Sequence, residues 1–126
     1  MTIALALATC VGLPAYAQEI YKGKEITLYV GSAPGGPYDA YGRLVARHLG
    51  RHLPGNPSVV VQNMPGASGR RLMGYIYNVA PKDGTSFGVV SQTVASGQLL
   101  QNAPGIKYDV RNATWIGRIN SNVELL

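Results

Sequence analysis

The sequence holds one cysteine, one phenylalanine, one tryptophan and six acidic residues among 126. A lone cysteine excludes an internal disulfide, and no Cys/His cluster has zinc-ligand spacing, so packing has to hold the fold. No uninterrupted apolar run reaches the roughly 20 residues that a membrane helix needs. G-x-G-x-x-G and G-x-x-x-x-G-K-[ST] are both missing, which removes the main support for dinucleotide and P-loop chemistry. His48 and His52 stand four apart, but Leu49 occupies the place where H-E-x-x-H has its glutamate. Neither a metal site nor a cofactor site is expected. Eleven Lys and Arg against six acids give a net charge of +5, concentrated in Arg43, Arg47, Arg51, Arg70 and Arg71. That excess suits an anionic ligand. Without basic stripes interleaved with aromatics, nucleic acid is not the expected partner.

What is present begins with an apolar segment. Residues 2–13 are apolar or small, Pro14 breaks the run, and Ala15-Tyr16-Ala17 offers small residues at the two positions a signal peptidase reads. Residues 1–17 are therefore expected to be a signal peptide cleaved after Ala17. Residues 18–126 form the mature chain of 109 residues, which carries no cysteine and suits an oxidising compartment. A hydrophobic fraction of 46% excludes disorder, and the length allows one domain.

Along the mature chain, strand, glycine-rich turn and helix follow one another repeatedly. Residues 26–31 are β-branched and aromatic and read as a strand, followed by a turn at Ser32-Ala33-Pro34-Gly35-Gly36-Pro37. Tyr41, Leu44, Val45, His48 and Leu49 recur at helical spacing and are the expected packing face of a first helix, which Pro54-Gly55 ends. Residues 58–62 carry Val59-Val60-Val61, a strand expected to be buried on both faces. A second turn at Asn63-Met64-Pro65-Gly66-Ala67-Ser68-Gly69 leads into a helix marked by Leu72, Ile76 and Val79. Lys82-Asp83-Gly84-Thr85 is a tight turn, residues 86–91 a third strand, residues 94–101 a short helix and residues 115–119 a fourth strand. This wiring predicts an α/β fold with a largely parallel sheet flanked by helices.

In such sheets ligands bind beyond the carboxyl ends of the strands, where the strand-to-helix turns gather. A glycine-rich turn opening a helix offers backbone N–H groups that have no intrahelical partner, and the helix dipole favours negative charge there. The turns at 34–39 and 65–69 are therefore the candidate anion cradle, at one rim if their strands are adjacent. Asp39 is placed to pair with Arg43 one turn on, or to order water against a ligand. Ser68 does not stand in a G-x-S-x-G elbow, since Arg70 replaces the second glycine, and no acid and base complete a triad. No catalytic residue is expected.

Four motifs then occur in order: Ile26-Thr27-Leu28-Tyr29-Val30, Pro34-Gly35-Gly36-Pro37-Tyr38-Asp39, Val59-Val60-Val61-Gln62-Asn63-Met64-Pro65-Gly66-Ala67 and Ala80-Pro81-Lys82-Asp83-Gly84-Thr85. In this order and spacing the chain resembles the substrate-binding proteins of tripartite tricarboxylate transporters, the Bug family, over the whole mature chain. The resemblance implies a periplasmic, non-enzymatic, monomeric binding protein of the periplasmic-binding-protein type II fold. Such a protein delivers a small carboxylate to two membrane subunits. It implies that Gly35, Gly36, Tyr38 and Asp39 in the first turn, and Gly66, Ala67, Ser68 and Gly69 in the second, hold a ligand carboxylate, with hydroxyl contacts from Ser91 and Thr93. Arg70-Arg71 departs from the small residues usual after the second turn and brings charge toward the ligand. The resemblance also implies that this is the first domain of a two-domain protein, ending before the second. The alternatives are a piece of a small α/β hydrolase or transferase, or a truncated product that binds nothing.

Overall fold

The computed structural model describes residues 20–99 and 105–119. The expected signal peptide, including Cys10, lies outside the described residues. Strand β1 (Glu25–Val30) is followed by helix α1 (Pro37–Leu49), β2 (Ser58–Asn63), α2 (Arg70–Asn78), β3 (Ser86–Val89) and α3 (Thr93–Leu99). The strands form one parallel sheet in the order β2-β1-β3, with Ile26 opposite Val59 and Val30 opposite both Asn63 and Val89. This is a small α/β fold with helices against the sheet, as the alternation of strands and helices implies.

β1 runs down the middle, and its composition explains why. Ile26, Leu28 and Val30 on one face and Tyr29 on the other are all buried, a two-sided burial typical of a central parallel strand. Each fully buried aliphatic side chain contributes about 1.5–3 kcal/mol. On the face of Val30 lies α1, which approaches through Gly42, where a Cβ would come within 2.6 Å of Val30 Cγ2. On the face of Tyr29 lies α2. The Tyr29 and Tyr75 rings meet edge to face at 5.1 Å between centroids, with their hydroxyls 3.2 Å apart, while Leu72 is fully buried. A second cluster of Met73, Val94, Tyr108 and Val110 joins α2, α3 and the segment after residue 105.

The close approach at Gly42 corrects the expected face of α1. The helix turns Asp39 and Gly42 inward and leaves Tyr41 and Leu44 on the outside, Leu44 at 50% exposure, while Val45, His48 and Leu49 of the expected face are half-buried. β2 is an edge strand with alternating burial rather than burial on both faces. β3 ends at Val89, two residues earlier than expected. α3 begins at Thr93 and is described as far as Leu99, with residues 100 and 101 outside the description. Residues 115–119 do not form a strand. Trp115, Ile116 and Ile119 are exposed, and the indole N–H donates to the Val110 carbonyl at 2.9 Å. β-branched composition alone does not make a strand without a sheet edge to pair with. Among the described residues no helix is long and apolar enough to cross a membrane.

Candidate functional site

Because the three strands are parallel, the turns that follow them open at one rim. The Met64 N–H donates to the Val30 carbonyl at 2.8 Å and the Gly31 N–H to the Val89 carbonyl at 2.9 Å, which locks the three exits together. The turns carrying Gly35 and Gly66 therefore lie side by side.

In the first turn the organising group is the Asp39 carboxylate, 3% exposed. One oxygen, Oδ2, accepts from the Gly35 N–H at 2.8 Å and from Arg43 Nε at 2.9 Å, and Oδ1 accepts from Asn63 Nδ2 at 2.8 Å. Asn63 Nδ2 also donates to the Ser32 carbonyl at 3.1 Å. The Arg43 hydrogen bond, then the Gly35 amide, then Asn63 hold the Asp39 carboxyl well below the usual carboxylate range. Of the two roles foreseen for Asp39, the structure places it in the pair with Arg43. Its engagement also means that the Gly35 amide is not among those open to a ligand. The N–H groups of Gly36, Tyr38 and Asp39 have no acceptor among the described residues, as expected at the start of a helix whose first residue is Pro37.

The second turn has the opposite character. Gly66, Ala67, Ser68 and Gly69 all have positive φ, at 141°, 46°, 54° and 87°. For Ala67 and Ser68 this left-handed conformation is strained, costing about 1–2 kcal/mol per residue. The Gly69 N–H donates to the Gly66 carbonyl at 3.0 Å, and the Arg70 N–H to Ala67. The amides of Gly66, Ala67 and Ser68 have no acceptor among the described residues.

Hydroxyl groups link the three turns. Tyr38 donates to Ser91 Oγ at 3.3 Å, Thr93 Oγ1 lies 3.0 Å from Ser91 Oγ, and Thr93 Oγ1 reaches the Ser68 carbonyl at 3.5 Å. A cavity of about 230 Å³ opens beside them, lined by Ser68, Arg70, Thr93, Ser96 and Gly97. The sequence-predicted residues thus meet at one rim: the Gly35 and Gly69 amides and the Asp39 carboxylate are bonded within the chain, the hydroxyls of Tyr38, Ser91 and Thr93 are bonded to one another and to Ser68 but solvent-exposed, and the amides of Gly36, Tyr38, Gly66, Ala67 and Ser68 have no acceptor among the described residues. Among the described residues no histidine or carboxylate is bonded to Ser68, Ser91 or Thr93, and no group of three potential metal ligands occurs.

Sequence reasoning missed Asn63, Ser96 and Gly97. The signal for Asn63 was a polar side chain at the last position of an apolar strand, opposite Val30. Ser96 and Gly97 had no local signal, because only the packing of α3 beside the second turn brings them to the cavity.

Over 65 residues the chain is 40% identical to a UPF0065 protein in the TAR-I ttuE-ttuC' intergenic region of Agrobacterium vitis. The match takes in 52% of this chain and spans 18% of the relative's length. No family model matches the chain, and no solved structure matches it.

Proposed function

We propose that the chain is the ligand-holding part of a periplasmic solute-binding protein of tripartite tricarboxylate transport, and that it captures a small carboxylate without chemical change. The observation that carries this reading is the convergence at one rim of amides without an acceptor among the described residues and of solvent-exposed hydroxyls. Gly36 and Tyr38 supply amides from the first turn, and Gly66, Ala67 and Ser68 from the second, with Ser91 and Thr93 adding hydroxyls from the third. A carboxylate needs donors in several directions and no acid nearby. Here the Asp39 carboxylate is already neutralised by Arg43, so the rim is not repulsive to an anion.

Similarity to a UPF0065 protein, the Bug family under its other designation, supports the same reading. Within it, residues 1–17 are the export leader, residues 18–126 contribute one wall of a type II binding-protein cleft, and two membrane subunits receive the ligand from a monomeric carrier. Gly35 and Asp39 act as positioning residues that shape the first turn.

Calorimetric titration of the chain with a panel of mono-, di- and tricarboxylates tests this. Saturable heat with at least one carboxylate, lost in the Thr93→Val variant, is expected. Absence of heat with every member of the panel defeats the reading.

A further inference from the structure

A larger cleft, of about 340 Å³, which shares Arg70 with the rim cavity, lies between α2 and the segment at residues 105–108. Ala67, Arg70, Arg71 and Gly74 form one wall, and Gly105, Ile106, Lys107 and Tyr108 the other. Three cations line it and no acid does. Arg70 Nε donates to the Ala67 carbonyl at 3.1 Å and Arg71 Nη1 to the Pro65 carbonyl at 3.5 Å. Those carbonyls orient the guanidinium groups without neutralising them, and among the described residues no carboxylate pairs with Arg70, Arg71 or Lys107.

Two further observations point to a ligand. Arg70 and Arg71 occupy the first turn of α2, which has no acidic residue. That is the positive end of the helix dipole, where cations are disfavoured. A local rule broken without compensation inside the fold marks a functional position. Gly74, in the middle of the same helix, has nothing within 4 Å of where a Cβ would stand, so packing does not require glycine there. Its effect is to leave the cleft open. The two walls are joined by the packing of Met73 with Tyr108 and by Asn78, whose Nδ2 donates to the Gly74 carbonyl at 2.8 Å and to the Lys107 carbonyl at 2.7 Å.

We infer that this cleft is a second anion site, separate from the carboxylate rim, that binds a small oxyanion bearing two or more negative charges, with phosphate or sulfate chemistry, between Arg71 and Lys107 with Arg70 at its inner side. The bound anion supplies the counter-charge that the three cations lack among the described residues.

Titration of the full chain with inorganic phosphate, followed by calorimetry at low ionic strength, is the test, with α-glycerol phosphate in a parallel arm to distinguish a free anion from an ester. Saturable binding is expected. Arg71→Gln and Lys107→Gln are each expected to weaken it by roughly tenfold, the loss of one charge-assisted contact. Gly74→Ala is expected to weaken it too, while thermal melting shows no loss of stability, because alanine favours a helix. Thr93→Val must leave phosphate binding unchanged, which separates this site from the rim. If the charge-removing variants bind phosphate as the parent does, or if the parent shows no saturable heat, the proposal is overturned. Failure of every carboxylate at the rim would leave it standing.

Discussion

The first and second glycine-rich turns open side by side but are built on opposite plans. The first is fixed by a side chain: Asp39 takes the Gly35 amide, the Arg43 guanidinium and the Asn63 amide into one knot. The second has no such side chain and instead carries two non-glycine residues, Ala67 and Ser68, in the left-handed region; among the described residues each turn leaves three amides without an acceptor. Both are glycine-rich, so composition treats them alike. The difference teaches that two turns of like composition can be fixed by different means, the first by a carboxylate one helical turn downstream and the second by backbone conformation. Among the described residues, the non-glycine positions of these two turns that adopt positive φ, Ala67 and Ser68, both lie in the second turn.

The knot is the place to break this contrast most strongly. Asp39→Ala leaves the Gly35 and Asn63 donors without their acceptor and Arg43 without its partner. It is expected to produce the largest loss of stability at the rim, roughly two to three times that of Gly35→Ala, read as a fall in the urea midpoint. Asp39→Asn keeps an acceptor oxygen and should fall between the two.

Acidification acts on the same group. Asp39 titrates lower in the folded chain than its ordinary value of 3.8, so its contribution is complete above that value and is lost as pH falls through the folded pKa. Asp109, held down to about 2 by Arg111, acts in the same direction. Urea denaturation of the parent is expected to weaken steadily below pH about 4, and Asp39→Asn to flatten that slope. A parent whose stability is unchanged between pH 6 and pH 3 contradicts the knot.

Much of this was legible in the sequence, for identifiable reasons. β1 was readable because Ile26, Leu28, Tyr29 and Val30 are β-branched, apolar or aromatic. The first two turns were readable because glycine and proline punctuate the exits of β1 and β2; the exit of β3, Val90-Ser91-Gln92, has neither. The packing face of α1 was not. Helical spacing of Tyr41, Leu44, Val45, His48 and Leu49 suggested a face, of which Val45, His48 and Leu49 are half-buried, while the close approach of Gly42 to Val30 turns Tyr41 and Leu44 outward. Glycine has no side chain for a periodicity argument to count. Residues 115–119 carried a strand-like composition whose outcome depended on a pairing partner that local sequence does not encode. The same limit applies to the cleft at Arg70, Arg71 and Lys107, since its two walls stand more than 30 residues apart in the chain.

A smaller effect sharpens the contrast through the backbone alone. Gly35 has φ of 83° with nothing within 4 Å of an added Cβ, so Gly35→Ala is a purely conformational change and is expected to destabilise by about 1 kcal/mol. Ala67 has φ of 46°, and Ala67→Gly is expected to have the opposite sign, stabilising by up to about 1 kcal/mol. Yet Ala67→Gly should weaken carboxylate binding several-fold, because a looser turn must be ordered when the ligand arrives. Opposite signs in stability, together with a binding loss on the stabilised side, are the signature of a turn strained for function. If Ala67→Gly improved both stability and binding, strain at the second turn would have no functional meaning.

The smallest effect on the fold falls at Ser91. Its hydroxyl accepts from Tyr38 and from the Thr93 backbone N–H, both at 3.3 Å, and lies 3.0 Å from Thr93 Oγ1. All of these contacts are solvent-exposed, so water can replace what Ser91→Ala removes, and stability should change by no more than about 0.5 kcal/mol. Binding is expected to respond differently, because at the rim the hydroxyl works with the open amides rather than with the core. Losing one hydrogen bond to a charged ligand weakens affinity by roughly tenfold. Denaturation and carboxylate titration of the same Ser91→Ala sample therefore give two readings that separate architecture from site. A stability loss as large as that of Asp39→Ala would move Ser91 into the architecture and leave the second turn as the site's main support.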